Sequence, residues 1–495
     1  MRRMPIRVAM IASECEPWAK TGGLADVVDA LARALGELDG EVAAPVDVFL
    51  PRYRGVPQPT AIERTTNLRV PDSRAPSGAS TVTVIDVPAD GYRLRLVDHP
   101  AAFDRQGFYG DATGDFPDNP WRFGLFCRTA LEALRQDRRP VDVVHIHDWH
   151  TGPAAIYRDV RYADDPILAR AAIQMTLHNL AYHGWTPRSQ LAQLGLAPGD
   201  GVVPRVADGL DLLLQGTVRA ELVNTVSPEF AAEALTPEFG MGLDSVLRAK
   251  GDRFIGILNG LDTKVWDPAN DPDIAAPFSR ADRSGKAACR EDLLARLGFD
   301  AADPGAGISM IGRLDPQKGF DLLAGAAPAL LDRGVRLVVQ GSGDHTLAGP
   351  FRAIARRNPE RVAFIERFDR AMARRIYAGA DFFAMPSRFE PCGQGQMIAL
   401  RYGTPPIVHR VGGLVDTVID ETSQPGAGTG FSFSGATVAG LLSACDRAIR
   451  LRETGGPPWD GLVDRGMAVD FDWVTGSAPR YVEAYARAIE IRRRA

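Results

Sequence analysis

The sequence predicts an α/β protein with two Rossmann-like, doubly wound domains that face each other across a cleft. Short apolar runs of strand length alternate along the chain with segments whose apolar residues recur at helical spacing. A unit of strand, glycine-containing turn and helix opens the chain at residues 6–35 and recurs at residues 308–331. A chain of 495 residues is long enough for two or three domains, each with its own core.

The domain boundaries are predicted from a change in composition. Residues 266–277 are rich in Pro and Asp, which is typical of a crossing between domains. We therefore predict a first domain over residues 1–260 and a second domain over residues 261–472. Residues 473–495 are predicted to form a C-terminal helix that crosses back to the first domain.

Composition and charge exclude several classes of partner. A net charge of −5 and an apolar content of 45% are those of an ordinary globular protein, with no basic surface for nucleic acid or an anionic membrane. No apolar run approaches the roughly 18 residues that a membrane helix needs. The five cysteines are far apart and include no C-x-x-C pair, which favours reduced thiols and a cytoplasmic location.

The first strand and helix surround a glycine-containing loop. Residues 6–12 form an apolar strand, and residues 24–35 have helical periodicity. In the loop between them, Lys20 precedes Gly22 and Gly23, so an ammonium group and two backbone N–H groups could surround an anion or sugar oxygens. A solvated loop lysine is the alternative, and the residue chemistry alone favours it.

Further strands of the first domain end in polar residues. The predicted strands cover residues 46–50, 81–87, 92–97, 141–147, 172–177, 222–226 and part of 253–262. The run over 141–147 ends at Asp148, and His178 follows the run over 172–177. Because the carboxyl ends of parallel strands meet at one edge of a sheet, these residues are predicted at one rim.

Three histidines and an aspartate within residues 145–150 raise the question of a metal site. His145 and His147 are two residues apart on one strand, so both point to the same face inside an apolar run. Buried histidines with satisfied ring nitrogens explain this pattern better than an open set of metal ligands. Asp148 and His150 lie beyond the strand, where functional residues are expected.

The second domain repeats the alternation of strand and helix. Its predicted strands cover residues 308–311, 335–340, 362–366 and 380–385, and its predicted helices include residues 320–331 and 395–402. Arg313 and Lys318 lie five positions apart in the glycine-bounded turn 312–319. A guanidinium and an ammonium group there can neutralise a diphosphate, although surface pairing with Asp315 or Asp321 is the competing interpretation.

The turn 387–393 carries one acid, Glu390. The start of the following helix exposes backbone N–H groups that suit phosphate, and Gly393 and Gly395 allow a ligand to approach the backbone. A carboxylate beside a phosphate is unfavourable, so we assign Glu390 to the hydroxyls of a neutral polyol. The alternative is a helix cap with a surface glutamate.

Seven motifs, in this order, resemble those of one enzyme family. They are residues 20–27 (KTGGLADV), 147–152 (HDWHTG), 177–184 (LHNLAYHG), 224–227 (NTVS), 259–262 (NGLD), 312–319 (GRLDPQKG) and 386–393 (PSRFEPCG). The set resembles bacterial glycogen synthases and plant starch synthases, which are retaining glucosyltransferases with two Rossmann-like domains of the GT-B type. The resemblance covers nearly the whole chain.

The resemblance implies a reaction and a set of site residues. The reaction is transfer of glucose from ADP-glucose to the non-reducing end of an α-1,4-glucan with retention of configuration, and no metal or other cofactor is expected. It implies that the second domain binds the sugar donor, and that the first domain lies on the acceptor side. The implied catalytic residues are Arg313 and Lys318 on the donor phosphates, Glu390 on the glucose hydroxyls, and His178. The implied donor-binding residues are Lys20, Gly22, Gly23, Tyr109, Asp148, Asn259, Cys392, Gly393, Gln394 and Gly395.

One departure from the family and two alternatives bear on the function. The family usually has Leu-Thr-Gln after Gly393, whereas this chain has Gln394, Gly395 and Gln396. Since backbone N–H groups supply most contacts there, we expect activity with an altered affinity. The alternatives are a retaining transferase for another nucleotide sugar and a weakly active glucan-binding or regulatory relative. No second carboxylate is evident beside Glu390, which favours attack on the face of the leaving phosphate over a covalent intermediate.

Overall fold

A computed structural model gives the structure of the chain and describes residues 4–38, 40–111, 113–196, 200 and 209–494. The chain folds into two compact units. The first unit comprises Met1–Val226, Ala231–Gly260 and Trp473–Ala495, and the second comprises Ser227–Phe230 and Leu261–Asp472.

The strands are numbered in chain order. They are β1 (Val8–Ile11), β2 (Val46–Pro51), β3 (Arg64–Pro71), β4 (Ala79–Pro88), β5 (Tyr92–Asp98), β6 (Gly110–Asp111), β7 (Gly114–Asp115), β8 (Val143–His147), β9 (Ala172–Leu177), β10 (Trp185–Pro187), β11 (Gly209–Asp211), β12 (Leu222–Thr225), β13 (Phe254–Gly256), β14 (Gly307–Leu314), β15 (Arg336–Gly343), β16 (Val362–Ile365), β17 (Phe382–Met385), β18 (Pro406–His409) and β19 (Phe431–Phe433).

The α-helices are numbered in the same way. They are α1 (Gly23–Glu37), α2 (Pro100–Phe103), α3 (Asn119–Gln136), α4 (Asp148–Arg161), α5 (Leu212–Arg219), α6 (Pro228–Glu233), α7 (Asp244–Lys250), α8 (Gly285–Leu297), α9 (Phe320–Asp332), α10 (His345–Arg357), α11 (Arg370–Gly379), α12 (Gly395–Arg401), α13 (Gly413–Thr417), α14 (Val438–Thr454), α15 (Gly456–Ala468) and α16 (Ala478–Arg494).

The first unit contains a nine-stranded sheet in the order β13-β12-β9-β8-β1-β2-β5-β4-β3. The strands from β13 to β5 are parallel, and β4 and β3 continue the sheet as antiparallel strands. Every residue of β1 and β8 is buried, as expected for strands covered by helices on both faces. The strand order reverses between β1 and β8, which is the position where doubly wound sheets bind ligands.

The second unit contains six parallel strands in the order β16-β15-β14-β17-β18-β19. Numbered along this unit, the order is 3-2-1-4-5-6, which is that of a dinucleotide-binding fold. Its core packs α9 and α14 against the sheet through residues such as Phe320, Leu337 and Leu441. The order reverses between β14 and β17, so the turns after these two strands meet at the expected binding position.

These two sheets confirm the predicted fold class, because both units are α/β with a doubly wound sheet. Edge strand β3 was not predicted, because only Leu68 and Val70 of its residues are buried and an alternation this short does not indicate a strand. Strand β14 extends to Leu314, whereas the sequence predicted its end at Ile311.

Helix α16 packs against β8, β9 and β12 of the first unit. Its Tyr485 hydroxyl lies 2.9 Å from Nδ1 of His145, and its Tyr481 hydroxyl accepts a hydrogen bond from Asn224 Nδ2 at 3.2 Å. His145 Nε2 lies 2.7 Å from the Thr176 hydroxyl. Both ring nitrogens of His145 are therefore satisfied within the core, as predicted from the sequence, whereas the same prediction is wrong for His147, whose buried Nε2 has no hydrogen-bond partner among the described residues.

The described residues include no helix that is long and apolar enough to cross a membrane. All five cysteines lie in described segments, where they are buried and form no disulfide bond.

Candidate functional site

A salt bridge occupies the position in the second unit where the strand order reverses. Lys318 ends a 3₁₀ turn after β14, and Glu390 lies in the turn after β17. Lys318 Nζ lies 2.6 Å from Glu390 Oε2, which also accepts a hydrogen bond from the Ser387 hydroxyl at 3.0 Å. The Glu390 side chain is 6% exposed and that of Lys318 is 23% exposed. The two turns therefore share one buried ionic contact.

Arg313 lies on the same rim but makes a much weaker contact. It belongs to the end of β14, opposite Ser342 of β15, so the sequence was wrong in assigning it to the turn. Its side chain is 60% exposed, and its nearest carboxylate, Asp315, lies 3.9 Å away. The other predicted competitor, Asp321, pairs with Arg388 at 2.6 Å. The Arg313 guanidinium is thus available to an anion that reaches the rim.

A glycine allows the turns after β14 and β17 to touch. Gly319 has a φ of +74°, and a Cβ atom there would lie 2.1 Å from the carbonyl oxygen of Pro386. Gln317 donates from Nε2 to the Phe389 carbonyl oxygen at 3.0 Å. These contacts hold Lys318 and Glu390 at a fixed separation.

The segment Cys392–Gly395 connects Glu390 to helix α12. Gly393 has a φ of +74°, and Gln394 directly precedes the helix, with no capping hydrogen bond from its side chain. A Cβ atom on Gly395 would lie 2.8 Å from the Phe383 ring and 3.3 Å from the Tyr377 hydroxyl. The threonine that the family usually has here would collide with these rings, so Gly395 fits the packing of this chain.

In the first unit, the buried carboxylate of Glu14 organises the loop after β1. Its Oε2 accepts hydrogen bonds from the backbone N–H groups of Thr21 at 2.6 Å and Gly22 at 3.0 Å. Its Oε1 accepts from the hydroxyls of Thr21 at 2.5 Å and Tyr109 at 2.6 Å. One carboxylate therefore links the predicted Lys20–Gly23 loop to the predicted pocket tyrosine.

Lys20 and the two glycines have different surroundings in this loop. The Lys20 side chain is 43% exposed, and its Nζ lies 2.6 Å from Asp26 and 3.6 Å from Glu16. No heavy atom lies within 4 Å of the position that a Cβ on Gly22 or Gly23 would take. The loop thus leaves open space beside two glycines next to a half-exposed cation.

Asp148 begins helix α4 at the end of β8. It is 7% exposed and has a φ of +54°, a left-handed conformation that a residue with a side chain rarely adopts. Its Oδ1 accepts a hydrogen bond from the backbone N–H of His178 at 2.7 Å. Burial raises the pKa of the Asp148 carboxyl to about 7, although backbone N–H groups of His178 and Asn179 oppose this shift.

His178 is brought next to a second histidine. Its Nε2 lies 3.0 Å from Nδ1 of His147, whose backbone precedes Asp148. Burial lowers the pKa of His178 to about 3, so its imidazole is neutral at pH 7. The described residues contain no group of three or more His, Cys, Asp or Glu that could hold a metal ion.

Asn259 is a buried polar side chain without a complete set of partners. It is 6% exposed, and its Oδ1 accepts no hydrogen bond from the described residues. Its backbone N–H donates to the Val226 carbonyl oxygen at 3.2 Å. A buried, unpaired amide oxygen is costly unless a ligand or water satisfies it.

Within each unit, the predicted residues converge on one rim. The first-unit rim has Lys20, Gly22, Gly23, Tyr109, Asp148, His178 and Asn259. The second-unit rim has Arg313, Lys318, Glu390, Cys392, Gly393, Gln394 and Gly395. The roles of these residues remain predictions.

Two residues on these rims were missed by the sequence. Glu14 was not predicted as a site residue, because no local pattern shows that four hydrogen bonds converge on it. Phe368 follows β16 and is 82% exposed, although burial of such a side chain is worth about 1.5–3 kcal/mol. A phenylalanine between charged residues at a strand end was the signal available for Phe368.

Family models match most of the chain. Residues 7–249 match the model described as starch synthase catalytic domain, and residues 305–450 match the model described as glycosyl transferases group 1. The chain is 40% identical to a glycogen synthase of Syntrophotalea carbinolica over 98% of this chain and 99% of that protein. It is 42% identical to a glycogen synthase of Anaeromyxobacter dehalogenans over 97% of this chain and 99% of that protein.

One solved structure is similar to this chain over nearly its full length. The catalytic domain of starch synthase IV from Arabidopsis thaliana, bound to ADP and acarbose, is 34% identical, with a TM-score of 0.87. The match covers 98% of this chain and 100% of that domain.

The pKa of Asp148 predicts a pH-dependent stability. An unfolded aspartate has a pKa of about 3.9, so the higher folded pKa means that ionisation destabilises the fold. This destabilisation is absent below about pH 4 and fully present above about pH 7. Asp148→Asn removes it and keeps an oxygen that can accept from His178. The stability of the variant relative to the wild type should rise by about 2 kcal/mol between pH 5 and 7 and then level off.

The measurement is the urea midpoint of both proteins from pH 5 to 8. Protonation of buried histidines acts on both proteins and cancels in the difference. A difference that stays constant with pH would show that Asp148 is not a titrating group in this range.

Proposed function

Because the chain belongs to the family of glycogen and starch synthases and is therefore a glycosyltransferase, we propose that it transfers glucose from ADP-glucose to the non-reducing end of an α-1,4-glucan. The observation that carries this proposal is the buried Lys318–Glu390 salt bridge beside the exposed Arg313, at the point where the strand order reverses. A diphosphate and a hexose need such a combination of cations and one acid.

The two cations are proposed to bind the diphosphate of the sugar donor. The guanidinium of Arg313 can make two parallel hydrogen bonds to phosphate oxygens, and the ammonium of Lys318 has three N–H groups. One of these already reaches Glu390, which leaves donors for a phosphate oxygen. Negative charge grows on ADP as the glycosidic bond breaks, so cations held there stabilise the transition state more than the bound substrate.

Glu390 is proposed to orient the glucose. Its carboxylate can accept hydrogen bonds from sugar hydroxyls. Its contacts with Lys318 and Ser387 fix the side chain before the substrate arrives. Lys318 would therefore contact both Glu390, which binds the sugar, and the phosphate. These two contacts couple the position of the sugar to that of the leaving group.

Phe368 is proposed to stack on the nucleobase. It follows β16, two strands from β14 on the rim that carries Arg313. Neighbouring strands lie about 4.8 Å apart, so an aromatic ring at β16 is roughly 10 Å from the end of β14. In a nucleoside diphosphate, the ribose separates the base from the phosphates by a distance of this order. Stacking explains why so large an apolar side chain is 82% exposed.

Two polar side chains of the first-unit rim are proposed to bind sugar hydroxyls. Neutral His178 would act as a hydrogen-bonding group, and Asn259 has an oxygen to offer to a hydroxyl. Retention is assigned to attack on the face of the leaving phosphate, and no residue is assigned as a covalent nucleophile. A metal-free reaction and a cytoplasmic location remain predictions from the sequence.

The function is tested by release of ADP in a mixture of protein, glycogen and ADP-glucose. We expect ADP-glucose to give the highest kcat/KM in a panel with UDP-glucose and GDP-mannose, and the glycogen to gain mass. A large preference for either of the other sugar donors would make the assigned donor wrong. ADP release at background with every primer would identify a glucan-binding protein in place of a transferase.

The role of the cations is tested by Arg313→Ala and Lys318→Ala. Each should lower kcat by about 100-fold or more, since one preorganised contact to developing charge is worth about 3–4 kcal/mol. Arg313→Ala is the cleaner variant because Lys318 and Glu390 remain paired in it. Arg356→Ala, which removes an exposed arginine from α10, is the matched control and should keep wild-type kinetics. Turnover near the wild-type value in both rim variants would refute this assignment.

The role of Phe368 is tested by Phe368→Ala. Loss of a base-stacking ring is worth about 1–3 kcal/mol, so KM for ADP-glucose should rise about tenfold with a much smaller change in kcat. Phe368→Trp should restore the KM because it keeps a stacking face. An unchanged KM in the alanine variant would mean that the ring does not contact the base.

A further inference from the structure

A polar cavity of about 450 Å³ lies in the second unit, and the residues that line it include none of those assigned to the reaction. Arg410, which follows β18, and Ser434, which follows β19, line it from the sheet. Arg447 and Ser443 line it from helix α14. The cavity therefore occupies the end of the rim formed by the last two strands.

One acid and one arginine in this cavity neutralise each other. The Asp420 carboxylate lies 3.1 Å from Arg447 Nη1. It also accepts hydrogen bonds from the backbone N–H groups of Ser432 at 2.6 Å and Ser423 at 2.9 Å. Arg447 donates in addition to the Ser432 carbonyl oxygen at 2.6 Å. Asp420 and Arg447 are therefore held in place as part of the cavity wall.

Arg410 supplies a charge that the wall does not balance. Its backbone N–H donates to the Phe433 carbonyl oxygen at 2.9 Å, which fixes the residue between β18 and β19. Its exposed guanidinium makes no ion pair or hydrogen bond with any described residue. The hydroxyls of Ser434 and Ser443 are likewise without a hydrogen bond to the described part of the chain. The cavity therefore offers one net positive charge and two unused hydroxyls.

The N-terminus of α14 adds to the positive electrostatic potential of the cavity. Helix α14 has 17 residues, and Gly440 of its first turn lines the cavity. The N-terminus of a helix carries a partial positive charge from its aligned peptide dipoles. Both the guanidinium and the helix therefore favour an anion at this place.

We propose that this cavity binds a phosphorylated hexose at a site separate from the sugar-donor site. The fork of the Arg410 guanidinium matches a phosphate, and the serine hydroxyls suit a sugar ring. A cavity of this volume holds a small ligand, whereas a bare phosphate would leave most of it to water. Arg410 follows β18, which lies two strands from β14, roughly 10 Å at the usual spacing.

The site is tested by titration calorimetry with glucose 1-phosphate, inorganic phosphate and glucose, each with and without saturating ADP. We expect glucose 1-phosphate to bind in the presence of ADP, more tightly than inorganic phosphate, and glucose alone to bind weakly. Arg410→Gln should weaken binding of glucose 1-phosphate at least tenfold, because a charged hydrogen-bonding partner is lost. Its urea midpoint should match that of the wild type.

Arg450→Gln is the matched control, since Arg450 is an exposed arginine of α14 outside the cavity wall, and it should bind like the wild type. Ser443→Ala should reduce the preference for glucose 1-phosphate over inorganic phosphate. The proposal is overturned if ADP abolishes the binding, if Arg410→Gln leaves it unchanged, or if inorganic phosphate binds as tightly as glucose 1-phosphate.

Discussion

The ionic contact between Lys318 and Glu390 determines how the second unit presents its rim. A carboxylate that is 6% exposed is costly to bury unless a cation lies beside it, and the partner comes from a turn 72 residues earlier in the chain. The contact is possible because β14 and β17 are neighbours in the sheet and because Gly319 lets their turns touch. Strand topology, Gly319 and charge pairing therefore place the Lys318 ammonium group beside the Glu390 carboxylate.

In the first unit, a buried carboxylate is stabilised by hydrogen bonds in place of an ion pair. Glu14 is as buried as Glu390, and its oxygens accept hydrogen bonds from two backbone N–H groups and two hydroxyls. These bonds shape the loop that carries Lys20 and leave its ammonium group half exposed. Asp148 lies at the neighbouring strand end, where burial raises its pKa and backbone N–H groups of His178 and Asn179 oppose the rise. Backbone N–H groups therefore contact a buried carboxylate at two neighbouring strand ends of this rim.

The sequence predicted the doubly wound fold because buried parallel strands, glycine turns and helical periodicity are local patterns, and the same patterns indicated which polar residues follow strand ends. It assigned Arg313 to a turn because glycine and polar residues interrupt the apolar run, whereas pairing with β15 continues the strand to Leu314. The partner of Lys318 and the four hydrogen bonds of Glu14 depend on long-range packing, which no local pattern encodes. Gly395 looked like a weakened site, but its neighbours Phe383 and Tyr377 show that it accommodates two rings.

Strand order converts these distant residues into a linear arrangement along the second rim. Arg313 lies at the end of β14, and the other three residues follow neighbouring parts of the sheet, Phe368 after β16, Glu390 after β17 and Arg410 after β18. An aromatic ring, a cation, an acid and a second cation therefore succeed one another along the rim at intervals set by strand spacing. A nucleotide sugar is a base, a diphosphate and a hexose in that order, and it is matched by the first three. Arg410 then lies beyond the hexose end, so its unbalanced charge needs an explanation other than the sugar donor, and the polar cavity beside it provides one.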